Sequence, residues 1–193
     1  MMDMNRYFSA ERIGDTLLPA FKGVMGSPNE FFTAMPEARD YRDSFMLLCI
    51  FLSIPALVAS IATGVITMIF ILPISLMFGL IGTWMWAWYL GWAARRFCSS
   101  ELSTVGAFQI CAYSSAPMVF SWIPLIGLLG WLWNLYLNWQ GLVSHGRIGA
   151  GPALLIILGA FFVMMLSLIT LAALLLYAGS QFGVELPATT TWF

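Results

Sequence analysis

Four polar side chains interrupt otherwise apolar stretches: Gln109 and Tyr113 in one, Asn134 and Asn138 in the next. Within each pair the spacing is four residues, so both members share one face of a helix. Gly130 extends the second face by one more turn, Gly127 lies close by, and Gln140 follows near the end of the same stretch. Amide and phenol groups in lipid need partners. One use is to hydrogen-bond neighbouring helices, at about 0.6–2 kcal/mol per bond, with small residues allowing close approach. The other is to line a polar route for a substrate or for water. The spacing alone leaves both open.

Other reactive residue types are sparse and scattered. His145 is the single histidine, so neither a bis-histidine haem nor a two-histidine metal site can form. It reads as an interfacial cap or surface residue. Cys49, Cys98 and Cys111 are odd in number and scattered, which is not a disulfide framework or a zinc spacing. Ser114 and Ser115 have no basic partner at a recognisable spacing, and no phosphate loop or metalloprotease helix motif occurs. The expectation is therefore no catalytic residues, no metal and no cofactor. Pro117 and Pro124 bracket the short link 118–123, and proline cannot continue a helix without losing a donor and clashing with the preceding turn. With Gly127 they mark a tight helix connection or a hinged, re-entrant segment.

The elements that carry these residues follow from the charges. Between Asp43 and Arg95 lie 51 uncharged residues; between Glu101 and Arg147 lie 45; from Ile148 to Val184 lie 37. A helical crossing needs about 20 apolar residues. The division is two, two and one, with expected spans at about 44–63, 66–94, 102–118, 125–143 and 152–177. Gly64 is the expected turn between the first two. The fold class is an all-α integral membrane protein with five transmembrane helices. Apolar residues make up 61% of the chain and charged residues 9%, far below a soluble protein's share of charge. The net charge of -1 gives no field for nucleic acid. A chain of 193 residues also leaves no room for a separate soluble catalytic domain.

Residues 1–43 mix five basic with seven acidic side chains and contain no apolar run like that of a cleavable signal. Ile13, Leu17, Leu18, Phe21, Val24 and Met25 recur at helical spacing. Such a segment lies in the membrane interface or packs on the base of the bundle. Lys22 is the only basic residue between Arg12 and Arg39, which favours packing. Orientation follows from the basic residues. Five precede span one, Arg95 and Arg96 lie between spans two and three, and Arg147, next to His145, lies between spans four and five. Five crossings, divided two, two and one, put all eight on one side. The N-terminus is then cytoplasmic, the polar tail 179–193 is outside, and the four residues Arg95, Arg96, His145 and Arg147 sit at the cytoplasmic interface. Trp84, Trp86, Trp88, Tyr89 and Trp92 form an aromatic belt before Arg95.

The stretches Ala112-Tyr-Ser-Ser-Ala-Pro117 and Trp122-Ile-Pro-Leu-Ile-Gly127, then Trp133 through Gly141-Leu142 and His145-Gly146, resemble the Yip1 domain family. So does Val24 to Phe32, VMGSPNEFF, just before the first span. The resemblance covers roughly residues 20–178. It implies five helices with a cytoplasmic N-terminus. Eukaryotic members of that family are Golgi and endoplasmic-reticulum proteins linked to small GTPases and vesicle formation. The Asp-Leu-Tyr-Gly-Pro-like motif of their longer N-termini is not found here, and the compact form resembles the bacterial branch.

Spans without Asp, Glu, Lys or Arg argue against ion-coupled transport through membrane carboxylates. The functional expectation is a non-enzymatic adaptor or scaffold of the inner (cytoplasmic) membrane. It would bind lipids and other membrane proteins or itself, without nucleic acid, and would organise the bilayer around it. The alternative is a small-molecule or lipid pathway, or an accessory subunit of an exporter.

Overall fold

The computed structural model describes residues 7–63 and 65–181. The chain is all-helical, with no strand among the described residues. The expected turn at Gly64 and the tail beyond Gln181 lie outside the described residues.

Two short helices precede the apolar runs: α1 (Ile13–Gly26) and α2 (Pro28–Thr33). Thr16, Ala20 and Val24, four apart, form the buried stripe of α1. Pro28 stands at the start of α2, where its missing N–H costs nothing. The first apolar run forms α3 (Arg42–Thr63) and α4 (Val65–Cys98). Arg95 and Arg96 occupy the last turn of α4, where cations suit the negative end of the helix dipole.

The second run forms α5 (Thr104–Ser114) and α6 (Pro124–Ser144), joined by a 3-10 turn, Ala116–Phe120. Ser103 caps α5 by accepting a hydrogen bond from the Gly106 N–H at 3.0 Å. The third run forms α7 (Ala150–Gln181).

The expected span 102–118 differs from what the structure contains. It consists of an 11-residue helix, a break at Ser115 and the 3-10 turn. Pro117 is the physical reason, because it has no N–H with which to extend α5. At 1.5 Å per residue α5 is about 16 Å long, roughly half a hydrocarbon core. Two segments are long and apolar enough to cross a membrane among the described residues: Leu72–Cys98 and Ala150–Gly179.

The chain divides into two compact units, the first ending at Ile157 and the second beginning at Leu158. In the first, buried side chains concentrate at one end of α3 and α4. Leu47, Leu48 and Phe51 of α3 and Leu90, Ala93 and Ala94 of α4 are almost fully buried, with Phe31 and Phe32 of α2, Ile110 of α5 and Leu137 and Leu142 of α6. Further along the same helices Ile61, Ile69 and Phe70 are exposed, at 63–78%. Exposed apolar surface on that scale suits contact with lipid rather than water. In the second unit, Phe162, Leu166, Ile169, Leu174 and Tyr177 of α7 are also exposed.

Glycines set how closely the second run folds on itself. A Cβ at Gly130 would sit 2.9 Å from the Pro117 carbonyl oxygen, and one at Gly127 would sit 2.7 Å from that of Ser121. A Cβ at Gly141 would run into Ile110. The 3-10 turn therefore lies directly on the first half of α6. Gly127→Ala meets backbone that cannot step aside, so it is expected to cost about 1–3 kcal/mol. Thermal unfolding in detergent should show a melting temperature lower by several degrees. Gly14→Ala, with no atom within 4 Å of its Cβ, should leave it unchanged or slightly raised.

Candidate functional site

The two polar pairs of the second run take different partners. Gln109 uses its whole amide on the connection between α2 and α3. Its Nε2 donates to the Pro36 carbonyl at 3.2 Å, and its Oε1 accepts from the Ala38 N–H at 3.2 Å. It pairs with backbone as a neighbouring strand would. The Tyr113 hydroxyl accepts from the Phe8 N–H at 3.0 Å, and its ring packs edge-on to Phe31 at 5.0 Å. Phe31 in turn stacks at a tilt on Tyr7, at 5.0 Å.

The second pair closes the hairpin of α5 and α6. Asn134 Nδ2 donates to the Ser114 carbonyl at 2.8 Å, one of the last carbonyls of α5 and left free by the helix end. Asn138 Nδ2 donates to the Asn134 carbonyl at 2.8 Å and to Asn134 Oδ1 at 3.1 Å, which orients that amide. Each of the four side chains thus holds backbone or another member, although Asn138 Oδ1 and the nearby Ser114 hydroxyl are buried without a partner. They fall into two groups, one tying the N-terminal segment and one tying α5 to α6.

A third anchor was not legible in the sequence. Asn29 Oδ1 accepts from Gln140 Nε2 at 3.0 Å and from Ser144 Oγ at 3.0 Å, fixing α2 to the last turn of α6. Gln140 and Ser144 are four apart, which signals a shared face. Nothing local marks Asn29 as their partner 111 residues away.

The surroundings of the first pair are charged. Gln109 and Tyr113 line a cleft of about 340 Å³ together with Glu37, Arg39, Asp40 and Asp43. The sequence alone does not show these neighbours, because the charged connector that meets Gln109 is about 70 residues away in the chain.

The expected cytoplasmic interface residues gather less closely. His145 and Arg147 line a polar cleft of about 570 Å³ with Glu37, Ser99, Ser100 and Glu101. Arg95 points elsewhere, its Nη1 donating to the Leu102 carbonyl at 3.0 Å, and Arg96 is exposed. The cleft is built by two chain reversals. Ser99 and Arg147 both adopt the left-handed conformation, at φ 49° and 51°, which non-glycine residues take only when the surroundings impose it. Ser100 joins the reversals by donating to the Gly146 carbonyl at 2.8 Å. Among the described residues no three His, Cys, Asp or Glu side chains converge as for a metal ion. Pro117 lies buried in the 3-10 turn, Pro124 opens α6, and Gly127 faces Ser121.

Burial pushes the His145 imidazole below its ordinary value, an effect that Glu37 opposes and Arg147 reinforces, while a hydrogen bond with the Met35 backbone raises it. Folding therefore favours the neutral form of the group. The unfolded chain takes up this proton first as pH falls below about 6.5. Stability from this group is complete above that pH and declines through the window beneath it. Melting temperatures measured between pH 8 and pH 5 should fall across that window, and less steeply in His145→Asn.

Removing the Gln109 clamp should release the N-terminal segment. Gln109→Leu leaves the Ala38 N–H and the Pro36 carbonyl without partners, at a cost of about 1–3 kcal/mol. Hydrogen exchange at the Ala38 amide should accelerate by roughly 5- to 150-fold, that energy expressed as an opening equilibrium. Exchange in the middle of α6 should stay as it was.

A family model described as the Yip1 domain matches residues 22–172. No curated protein and no solved structure matches the chain. The chain belongs to the Yip1 domain family, a family of membrane proteins.

Proposed function

We propose that this Yip1-domain chain is a non-enzymatic adaptor of the inner membrane that binds other membrane proteins or a second copy of itself. One observation carries the reading. The polar side chains that had the spacing for chemistry are engaged in holding backbone: Gln109 and Tyr113 on the N-terminal segment, Asn134 on the end of α5. What remains for function is surface, namely broad exposed apolar helix faces and a polar cleft at the end where the N-terminal segment packs. A pathway lined by the four side chains draws no support from these contacts.

The orientation that goes with this reading has the N-terminus in the cytoplasm and the C-terminus outside, in a multi-pass chain. All eight basic residues support it, since an even number of crossings in each of the first two uncharged runs keeps them on one face. The charges set that condition for those two runs and leave the total number of crossings open. The polar cleft beside Arg147 and Glu101 then faces the cytoplasm, where a partner's polar segment can reach it.

Cross-linking in the native membrane, gentle extraction and affinity isolation test the adaptor role. The expected outcome is a membrane protein recovered in fixed proportion, or a discrete homo-oligomer. A chain recovered only as a monomer, with cross-linking shown to be efficient, would sink the proposal.

A further inference from the structure

We propose that α5, the 3-10 turn and α6 form a re-entrant hairpin that enters and leaves the membrane through one face, so that only α3, α4 and α7 cross. The proposal concerns topology and rests on the proposed membrane orientation only for which face that is. With five crossings, residues 1–43 and the link 118–123 lie on opposite faces, about 30 Å of hydrocarbon apart. The structure brings them together. The Phe21 ring of α1 lies 6.3 Å from the Phe120 ring of the 3-10 turn, edge to face. The same Phe21 ring lies 6.1 Å from Phe51 of α3. Phe51 is nine residues past Arg42, about 14 Å along the helix axis and no more than halfway through the layer.

An α1 sunk to the far side cannot explain these contacts. Asp15 and Lys22 are exposed on α1, and lipid around both would be costly. The helix therefore stays at the face where Asp43 and Arg42 begin α3. There Asp43 Oδ1 accepts from the Ala10 N–H at 3.1 Å. The turn that touches α1 must lie in the nearer half of the membrane. Length agrees, because α5 at about 16 Å is only about half as long as the hydrocarbon layer is thick. Charge agrees too: Arg96 before the hairpin and Arg147 after it stay on one face whether the hairpin crosses twice or not at all. At about 32 Å, α6 lies oblique to the membrane normal. Its exposed Leu125, Leu128 and Leu129, at 60–80%, meet acyl chains of a single leaflet.

Site-directed spin labels decide the matter. Cys49, Cys98 and Cys111 are replaced by alanine, and single labels are placed through Ser121→Cys in the link and Arg96→Cys beyond α4. Both positions are exposed and neither anchors another element. The chain is reconstituted in one orientation in phosphatidylcholine vesicles, with a membrane-impermeant nickel chelate either outside or enclosed. The expected result is that the label at 121 responds to nickel only from the side that reaches 96, or to oxygen alone within the hydrocarbon. A label at 121 that responds to nickel from the side opposite 96 overturns the hairpin. Because position 121 is read against position 96, a reversed orientation of the whole chain shows itself separately, as nickel reaching 96 from the unexpected side. A normal melting temperature for each labelled chain keeps misfolding from imitating either result.

Discussion

A polar group that leaves water is costly unless it finds a partner inside the chain, and this cost shapes the first unit. The Ser114 carbonyl at the end of α5, the Pro36 carbonyl and the Ala38 and Phe8 N–H groups are all met by side chains from helices of the second apolar run. An unmet group of this kind costs about 1–3 kcal/mol. One domain's net stability is only about 5–15 kcal/mol, so a few such groups decide whether the fold holds. Gln109 matters most, because a primary amide offers a donor and an acceptor that match one peptide pair. Leucine or alanine there would supply neither.

The apolar packing depends on those contacts. Phe31 and Phe32 of α2 are fully buried, although α2 has only six residues and would not persist alone in water. Burying each ring contributes about 1.5–3 kcal/mol, but only once the segment is held in place. Gln109 fixes one end, Asn29 on Gln140 and Ser144 fixes the other, and Tyr113 bridges the rings between them. Glycine plays the complementary part on the hairpin. Where a side chain at 127, 130 or 141 would strike the opposing segment, its absence lets α6 lie against α5 and the turn.

What was legible in the sequence was the local part. Uncharged runs gave helices wherever they were long enough, because lipid and tight packing both leave an uncharged chain little alternative to internal backbone hydrogen bonding. The four-residue spacings put Gln109 with Tyr113 and Asn134 with Asn138 on shared faces, and Pro117 and Pro124 marked a reversal. The partners were not legible. Gln109 meets a backbone 71 residues away, and backbone polar groups carry no sequence signal at all. Asn29 gave no warning because its partners, the Gln140 and Ser144 side chains, lie 111 and 115 residues away in the chain. The charged surroundings of Gln109 and Tyr113 were hidden by the same gap, since the connector that supplies them is distant in the chain. The break at Ser115 was half legible: proline announced a turn but not that α5 would stop after 11 residues.

The length of α5 bears on why polar side chains are tolerated in this run at all. A helix that crosses lipid satisfies its own backbone except at its ends, and those ends normally lie in water. A helix that ends among packed side chains leaves carbonyls that water cannot reach. Asn134 meets the Ser114 carbonyl, while the Cys111 carbonyl, which already accepts the Ser115 N–H, takes a second bond from the Ser115 hydroxyl at 2.9 Å. Pro117 follows with no N–H to satisfy. This arrangement also explains how one pair of asparagines can look like a polar lining in the sequence and act as a helix terminator in the fold.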